Sequence, residues 1–295
     1  MRAHPVVWIL RVSWLVLPFT VGDALGVALA PHSHPVSATA TVVAWLVWAA
    51  VLVTSLAPHP LTLTAVRTLS PLAVGAAAWA LVAAPSTMTT RTEVLGSVGL
   101  AAAVIAAVCA VSGWTADEFV DAGSYGDERR FALRTPGMFL LGPIPVMWTL
   151  TAAGLVGGPL LVASHQWVLG GLVCVATAGI GTVSARAFHG LSRRWIVFVP
   201  AGMTLVDHLA LADPVLFAKA RMVRFGPALA DTTALDLSQN ALGLALEVGL
   251  DAPTELTRRV GPRKADLSHA SAVVFAAARP AAVLAEAQRR GVLVS

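Results

Sequence analysis

The sequence predicts an α-helical membrane bundle of about six transmembrane helices, followed by a cytoplasmic small β-barrel or β-sandwich domain with a C-terminal helix. Three observations predict it. Of 295 residues, 57% are hydrophobic and 12% charged, against about 45–50% and about 25% in an ordinary soluble domain. Residues 1–186 hold 8 basic and 7 acidic side chains, whereas the shorter segment 187–295 holds 12 and 9. Apolar runs are long before residue 187 and short and alternating after it. A mean hydropathy of +0.75 excludes a simple globular enzyme, a disordered chain and a coiled coil. Cys109 and Cys174 are the only cysteines, which excludes a disulfide framework and a cysteine-built zinc site. The net charge is +4 and 18 of the 20 basic residues are Arg, in an Ala- and Val-rich chain typical of a high-GC genome.

A membrane helix needs about 20 mostly apolar residues to cross about 30 Å of hydrocarbon. Six stretches meet that length, at about 8–30, 37–57, 67–84, 93–112, 138–163 and 166–186. Turn residues separate them: Pro31 and Pro35, Pro58 and Pro60, Pro85-Ser86, Gly113, and Pro136-Gly137. The short break at Ser164-His165 predicts a tight hairpin of the last two helices. Pro18 and Asp23 interrupt the first run, which also lacks a small-x-small cleavage site, so it reads as a retained span. Orientation follows from Lys and Arg alone. With the N-terminus inside, Arg2, Arg67, Arg129, Arg130, Arg134, Arg186, Arg193 and Arg194 are internal and only Arg91 is external. Both termini are therefore expected in the cytoplasm of a multi-pass plasma-membrane protein. Arg11 is expected near the inner end of the first helix, snorkelling to headgroups.

Asp23 is the one acid well inside a span. Such residues face a bundle interior, bonded to neighbouring hydroxyls, or mark an ion or proton path. Gly22 and Gly26 form a GxxxG segment suited to close helix approach, within the bundle or in a homo-oligomer. Further glycines cluster at Gly154, Gly157 and Gly158, at Gly170 and Gly171, and at Gly179 and Gly181. His32, His34 and His165 fall on one side, but no acid or cysteine lies near them to complete a metal site. No metal and no cofactor is expected.

The inner loop 113–137 is the longest connection in the body, with five acids, three Arg and the only tyrosine, Tyr125. Loops of this length are often functional. Residues 117–122 suit one helical turn. Phe119, Tyr125, Arg129, Arg130 and Phe131 are candidates for docking on the membrane surface or on the C-terminal domain; the alternative is a solvated loop whose Arg residues set topology.

In the tail, Trp195–Val199 reads as a strand, Pro200-Ala201-Gly202 as a turn, and Met203–Asp207 as the returning arm. Short strands are expected near 215–218, 221–225, 234–238, 242–249 and 271–276. Segment 251–267 reads as a short capped helix or an excursion between strands. From Pro280 the period becomes helical, with Arg289 and Arg290 in the closing turn.

The runs Arg194-Trp195-Ile196-Val197-Phe198-Val199-Pro200-Ala201-Gly202-Met203, Val273-Val274-Phe275 and Arg279-Pro280-Ala281-Ala282-Val283-Leu284 resemble bacterial pleckstrin-homology-like domains attached to membrane spans. That resemblance covers about a third of the chain and implies a small barrel plugged by a helix. With the Ser124-Tyr125-Gly126-Asp127-Glu128-Arg129-Arg130 loop, most of the chain is similar to a family of uncharacterised actinobacterial multi-pass membrane proteins, which brings no activity with it. The first hairpin loop, Pro200-Ala201-Gly202, carries no base, unlike phosphoinositide-binding members of the wider fold. Lys219, Arg221 and Arg224 alternate with apolar residues, as a basic strip facing anionic headgroups or as a solvated strand face. Arg258, Arg259, Arg263 and Lys264 are the densest basic cluster, able to hold an acidic partner or the membrane surface.

No P-loop, dinucleotide fingerprint, GxSxG elbow, HExxH or paired cysteine motif is present. His189, His208 and His269 stand singly. These absences favour a non-enzyme: a membrane-anchored scaffold or regulatory protein whose partners are membrane lipids and a cytoplasmic protein met through 187–295, with no nucleic acid. A small transporter or channel using Asp23, and a membrane enzyme of envelope or lipid metabolism, are the alternatives.

Overall fold

A computed structural model describes residues 4–83, 87–261, 264–292 and 294; Arg2, the Pro85-Ser86 break and Arg263 lie outside the described residues. In chain order the first helices are α1 (Pro5–Leu15), α2 (Leu17–Leu29), α3 (His34–Leu56), α4 (Pro60–Ala83), α5 (Thr90–Val111) and α6 (Gly113–Asp121). Strand β1 (Arg129–Ala132) follows, then α7 (Gly137–Leu141), α8 (Pro143–Ala163) and α9 (Trp167–Ser192). The remainder is β2 (Trp195–Val199), β3 (Gly202–Val206), β4 (Val215–Ala218), β5 (Met222–Pro227), β6 (Leu235–Asp236), β7 (Leu246–Arg259), β8 (Ala265–Phe275) and α10 (Pro280–Arg289). Two compact units result: Met1–Thr115 with Pro145–His189, and Ala116–Ile144 with Gly190–Ser295.

Six helices are long and apolar enough to cross a membrane: Pro5–Leu29, His34–Leu56, Pro60–Ala83, Thr90–Val111, Pro143–Ala163 and Trp167–Ser192. The first is α1 and α2 end to end, parted at Val16 because Pro18 has no N–H to continue the ladder. The expected span 138–163 is likewise divided: α7 stops at Gly142, whose ψ is −95°, and α8 starts at Pro143. Within the helical unit, Trp14, Leu17 and Val21 pack against Val51, Ala77 and Ala103. Two arginines satisfy carbonyls that helix ends leave without partners. Arg11 donates from Nε and Nη2 to the Ser55 carbonyl near the end of α3, at 3.1 and 2.6 Å, and Arg67 Nε donates to Ala110 in the last turn of α5 at 3.2 Å. Glycines let α8 and α9 touch: a Cβ at Gly154 would collide with Thr177, and one at Gly158 would meet Cys174 Sγ at 2.7 Å.

The second unit holds two four-stranded sheets, ordered β1-β2-β3-β4 and β5-β7-β8-β6. The first is antiparallel throughout, with β2 and β3 forming the expected hairpin in the register Val199↔Gly202 to Trp195↔Val206. Gly202 is required at that turn, since a Cβ there would run into the Phe217 carbonyl. In the second sheet β7 and β8 form a long hairpin and β6 joins β8 in parallel. Residues 251–259 and 265–267 therefore extend its two arms, which corrects both expected alternatives, the short capped helix and the excursion between strands. Their alternation was hidden by Pro253 and by the register shift between Gly249 and Thr254. The barrel is corrected too. The sheets do not close on one another; they share one core, in which Ile196, Phe198, Phe217, Phe225, Phe275 and Val283 of α10 are buried.

Candidate functional site

The loop between the fourth and fifth apolar helices is an integral part of the sheet-rich unit, and its seat there is the best-defined polar arrangement in that unit. On its inner edge, Arg129–Ala132 pairs antiparallel with β2, from Arg129↔Phe198 to Ala132↔Trp195, and the Leu133 N–H continues to the Arg194 carbonyl at 3.0 Å. The outer edge would leave alternate N–H groups exposed. Helix α6 covers them: Arg130 N–H donates to Asp121 Oδ1 at 2.8 Å and Ala132 N–H to Asp117 Oδ1 at 2.9 Å. The spacing explains the fit. Four helical residues rise about 6 Å and two strand residues about 6.6 Å, so carboxylates one turn apart meet every second amide of a strand. Beyond Ala132 the outer edge pairs with the residues just after β8, through Ala278 N–H to Ala132 O and Arg134 N–H to Ala276 O, both 2.8 Å.

The second oxygen of each carboxylate holds an arginine: Arg129 Nη1 to Asp121 Oδ2 at 2.5 Å, and Arg279 Nη1 to Asp117 Oδ2 at 3.2 Å. Burial pushes the Asp117 carboxyl up to about 7, against the Ala132 N–H and the Arg279 charge, which pull it down. Arg279 is lowered by its own burial, with the Asp117 carboxylate acting in the opposite sense.

Next to this seat lies a buried ion pair. Arg194 Nε and Nη2 donate to the two oxygens of Asp207 at 2.7 and 2.6 Å, and Nη1 donates to the Arg134 carbonyl at 2.8 Å. Both side chains are almost fully buried. Arg134 in turn donates to the carbonyls of Ala277 and Leu242 at 3.3 and 2.7 Å. In sequence Arg194 stands as a positive-inside residue and as the start of the run that carries the resemblance; its pairing with Asp207, thirteen residues on, has no local signal. His208, following Asp207, is lowered by burial, with the charge of Asp207 opposing.

Of the loop candidates, Phe119 is fully buried, and Phe131 is buried with its ring edge-on to Phe198 at 6.0 Å. Arg130 reaches Glu128 at 3.1 Å and lies 5.8 Å over the Trp195 ring. Tyr125 is 82% exposed, next to Gly126 at φ +55°.

The basic candidates do not converge. Lys219 donates to the Arg290 carbonyl at 2.5 Å, Arg221 pairs with Asp251 at 3.1 Å, and Arg224 pairs with Glu247 at 3.0 Å. Arg259 donates to the Leu211 carbonyl at 3.3 Å, Arg258 is half-buried at the end of β7, and Lys264 is exposed at the hairpin tip. Asp23 lies on an exposed face of α2, and Gly22 and Gly26 have no atom of another element within 4 Å of a built Cβ. His32 stands 6.2 Å from the Trp79 ring and His165 5.5 Å from Trp167, and among the described residues no three His, Cys, Asp or Glu side chains group as for a metal. Comparison with protein-family models, curated proteins and solved structures finds no match.

The arrangement has no nucleophile–base pair. What it does chemically is fasten a loop: two carboxylates, two arginines and a strand edge close on each other with their charges paired.

Proposed function

We propose that the protein is an integral plasma-membrane scaffold or regulatory protein whose sheet-rich unit is a cytoplasmic interaction domain of the pleckstrin-homology-like kind. The observation that carries this reading is β1, because the loop between two apolar helices supplies an edge strand to the sheet. The unit is thereby joined to apolar helices at three places along the chain: after α5, before α8 and after α9. An anchor needs one such junction. Three junctions link whatever the unit meets to three helices, which suits a regulator more than a tether. The excess of Arg on this side of the helices supports a cytoplasmic location, and exposed Tyr125 marks a face free to meet a partner.

A photo-crosslinking residue placed at Tyr125 in living cells tests the reading. A recurrent cytoplasmic protein adduct is expected, lost when Asp117→Ala unseats β1. Lipid adducts alone, together with no phenotype on removing 190–295, would refute it.

A further inference from the structure

The helical unit carries a half-open cavity of about 830 Å³ between α2, α3, α4 and α8, within the range of about 300–1,000 Å³ typical of small-molecule sites. Its walls run from Leu17 to Leu29 on α2, Val36 to Trp48 on α3, and Trp148 to Leu160 on α8. Twelve residues of helix rise about 18 Å, a little over half the hydrocarbon thickness of about 30 Å. The floor is built: Trp14 Nε1 donates to the Trp48 carbonyl at 2.9 Å, Trp48 Nε1 returns a bond to the Trp14 carbonyl at 3.1 Å, and Trp148 Nε1 donates to Thr68 at 2.8 Å. The space itself comes from residues without bulk, Gly22, Gly26 and Gly75, whose built Cβ atoms meet nothing within 4 Å.

The chemistry of the walls selects the occupant. Apart from indole N–H groups, His32 and Thr41 are the only lining side chains with a polar atom, and the Thr41 hydroxyl is taken by the Ser37 carbonyl at 2.8 Å. Below the mouth the walls offer a polar solute or a file of water little beyond indole N–H groups, and those of Trp14, Trp48 and Trp148 are already bonded to carbonyls. His32 lies at the opposite end from the tryptophan floor, 6.2 Å from the Trp79 ring. A half-open apolar slot about one leaflet deep, floored by bonded tryptophans and carrying one imidazole at its other end, matches one hydrocarbon chain with a polar head.

We infer that this cavity is a binding site for the acyl chain of a membrane phospholipid, with the phosphate head at His32. The inference rests on the reading that these helices cross a bilayer. Gly22 and Gly26 are then chain-binding positions rather than a homo-oligomer contact, and Asp23, which does not line the cavity, takes no part.

The full chain, reconstituted in phosphatidylethanolamine–phosphatidylglycerol vesicles doped with a phosphatidylglycerol bearing a diazirine near the chain end, tests this. After irradiation, label is expected at Trp48, Pro71 and Trp148, above the level on Val168 and Val175, which are exposed on the surface of α9. Filling the slot with Gly26→Leu and Gly75→Leu should abolish the floor label. Gly171→Leu and Gly179→Leu, equally unobstructed but outside the cavity, should leave it intact. Floor label no higher than on Val168, or unchanged in the filled variant, overturns the inference. So does an unlabelled floor with quantitative crosslinking of two copies through Gly22→Cys. If the filled variant does not fold, the wild-type contrast between floor and surface decides alone. Flotation with the vesicles separates the two readings: protein that does not float refutes the membrane reading, whereas protein that floats with an unlabelled floor refutes only this site.

Discussion

Asp117 shows how one residue carries two requirements that pull its proton in opposite directions. Its carboxylate accepts the Ala132 N–H and faces Arg279, yet burial raises its pKa from the ordinary 3.8 to about 7. A carboxyl raised on folding contributes stability that is fully present below its unfolded pKa and lost as pH rises through the folded one. Between about pH 4 and 7, the wild-type melting temperature should therefore fall relative to that of Asp117→Asn, which keeps the acceptor and has no proton to lose. Parallel pH profiles in the two proteins would exclude burial as the controlling term. Asp117→Ala leaves the Ala132 amide without an acceptor and should cost about 1–3 kcal/mol at any pH in this range. Arg194 and Asp207 pose the same question for a closed pair. Removing either partner leaves a buried charge, so Arg194→Met or Asp207→Leu alone should destabilise by about 3–5 kcal/mol, whereas the double variant should recover most of that loss. A double-mutant cycle in denaturant measures it, and additive losses would show the pair uncoupled.

Among the elements, the lock between α6 and β1 depends on register rather than on any one contact. Asp117 and Asp121 fall on one face because they are four residues apart. One alanine inserted between Glu118 and Phe119 turns Asp121 by about 100° relative to Asp117. The Arg130 amide, which bonds to Asp121, should then exchange with solvent at a loop-like rate, while the paired amides of β2 and β3 stay protected. Slow exchange at Arg130 in that variant would mean that Asp121 is not what protects this outward-facing amide. Elements of this kind were the least legible in sequence, for a physical reason. The apolar helices announce themselves in about 20 consecutive residues, and the β2–β3 hairpin within Trp195–Val206, because their partners are local. The segment Arg129-Arg130-Phe131-Ala132 has no alternation to mark it as a strand, since its order is imposed by β2, sixty-odd residues later, and by carboxylates whose spacing means nothing until the strand is there. Phe119 and Phe131 were visible as aromatics out of place in a loop; Asp117, Arg279 and Asp207 were not, because an ordinary surface acid or base looks the same in sequence. The two halves of the expected fifth span were similarly merged by composition and separated only by Gly142-Pro143.

For the whole molecule, the consequence is that the polar second unit is discontinuous in sequence. Residues 190–295 alone lack β1, and with it Phe131 and Leu133 of the shared core, the Arg134 carbonyl that takes the third arm of Arg194, and the edge pairing of 276–278. Burial of a Phe and a Leu is worth about 1.5–3 kcal/mol each, and an exposed β2 edge invites pairing with another chain. Since whole domains are stable by only about 5–15 kcal/mol, the isolated segment 190–295 should be poorly ordered and prone to aggregate. Joining residues 113–136 to its N-terminus through a flexible linker should restore a cooperative melt and dispersed amide resonances, and the same fusion carrying Asp117→Ala and Phe131→Ala should not. A well-folded 190–295 would show that the loop strand decorates the unit instead of completing it. The three junctions with apolar helices would then reduce to one working attachment, and the coupling on which a regulatory role depends would be lost.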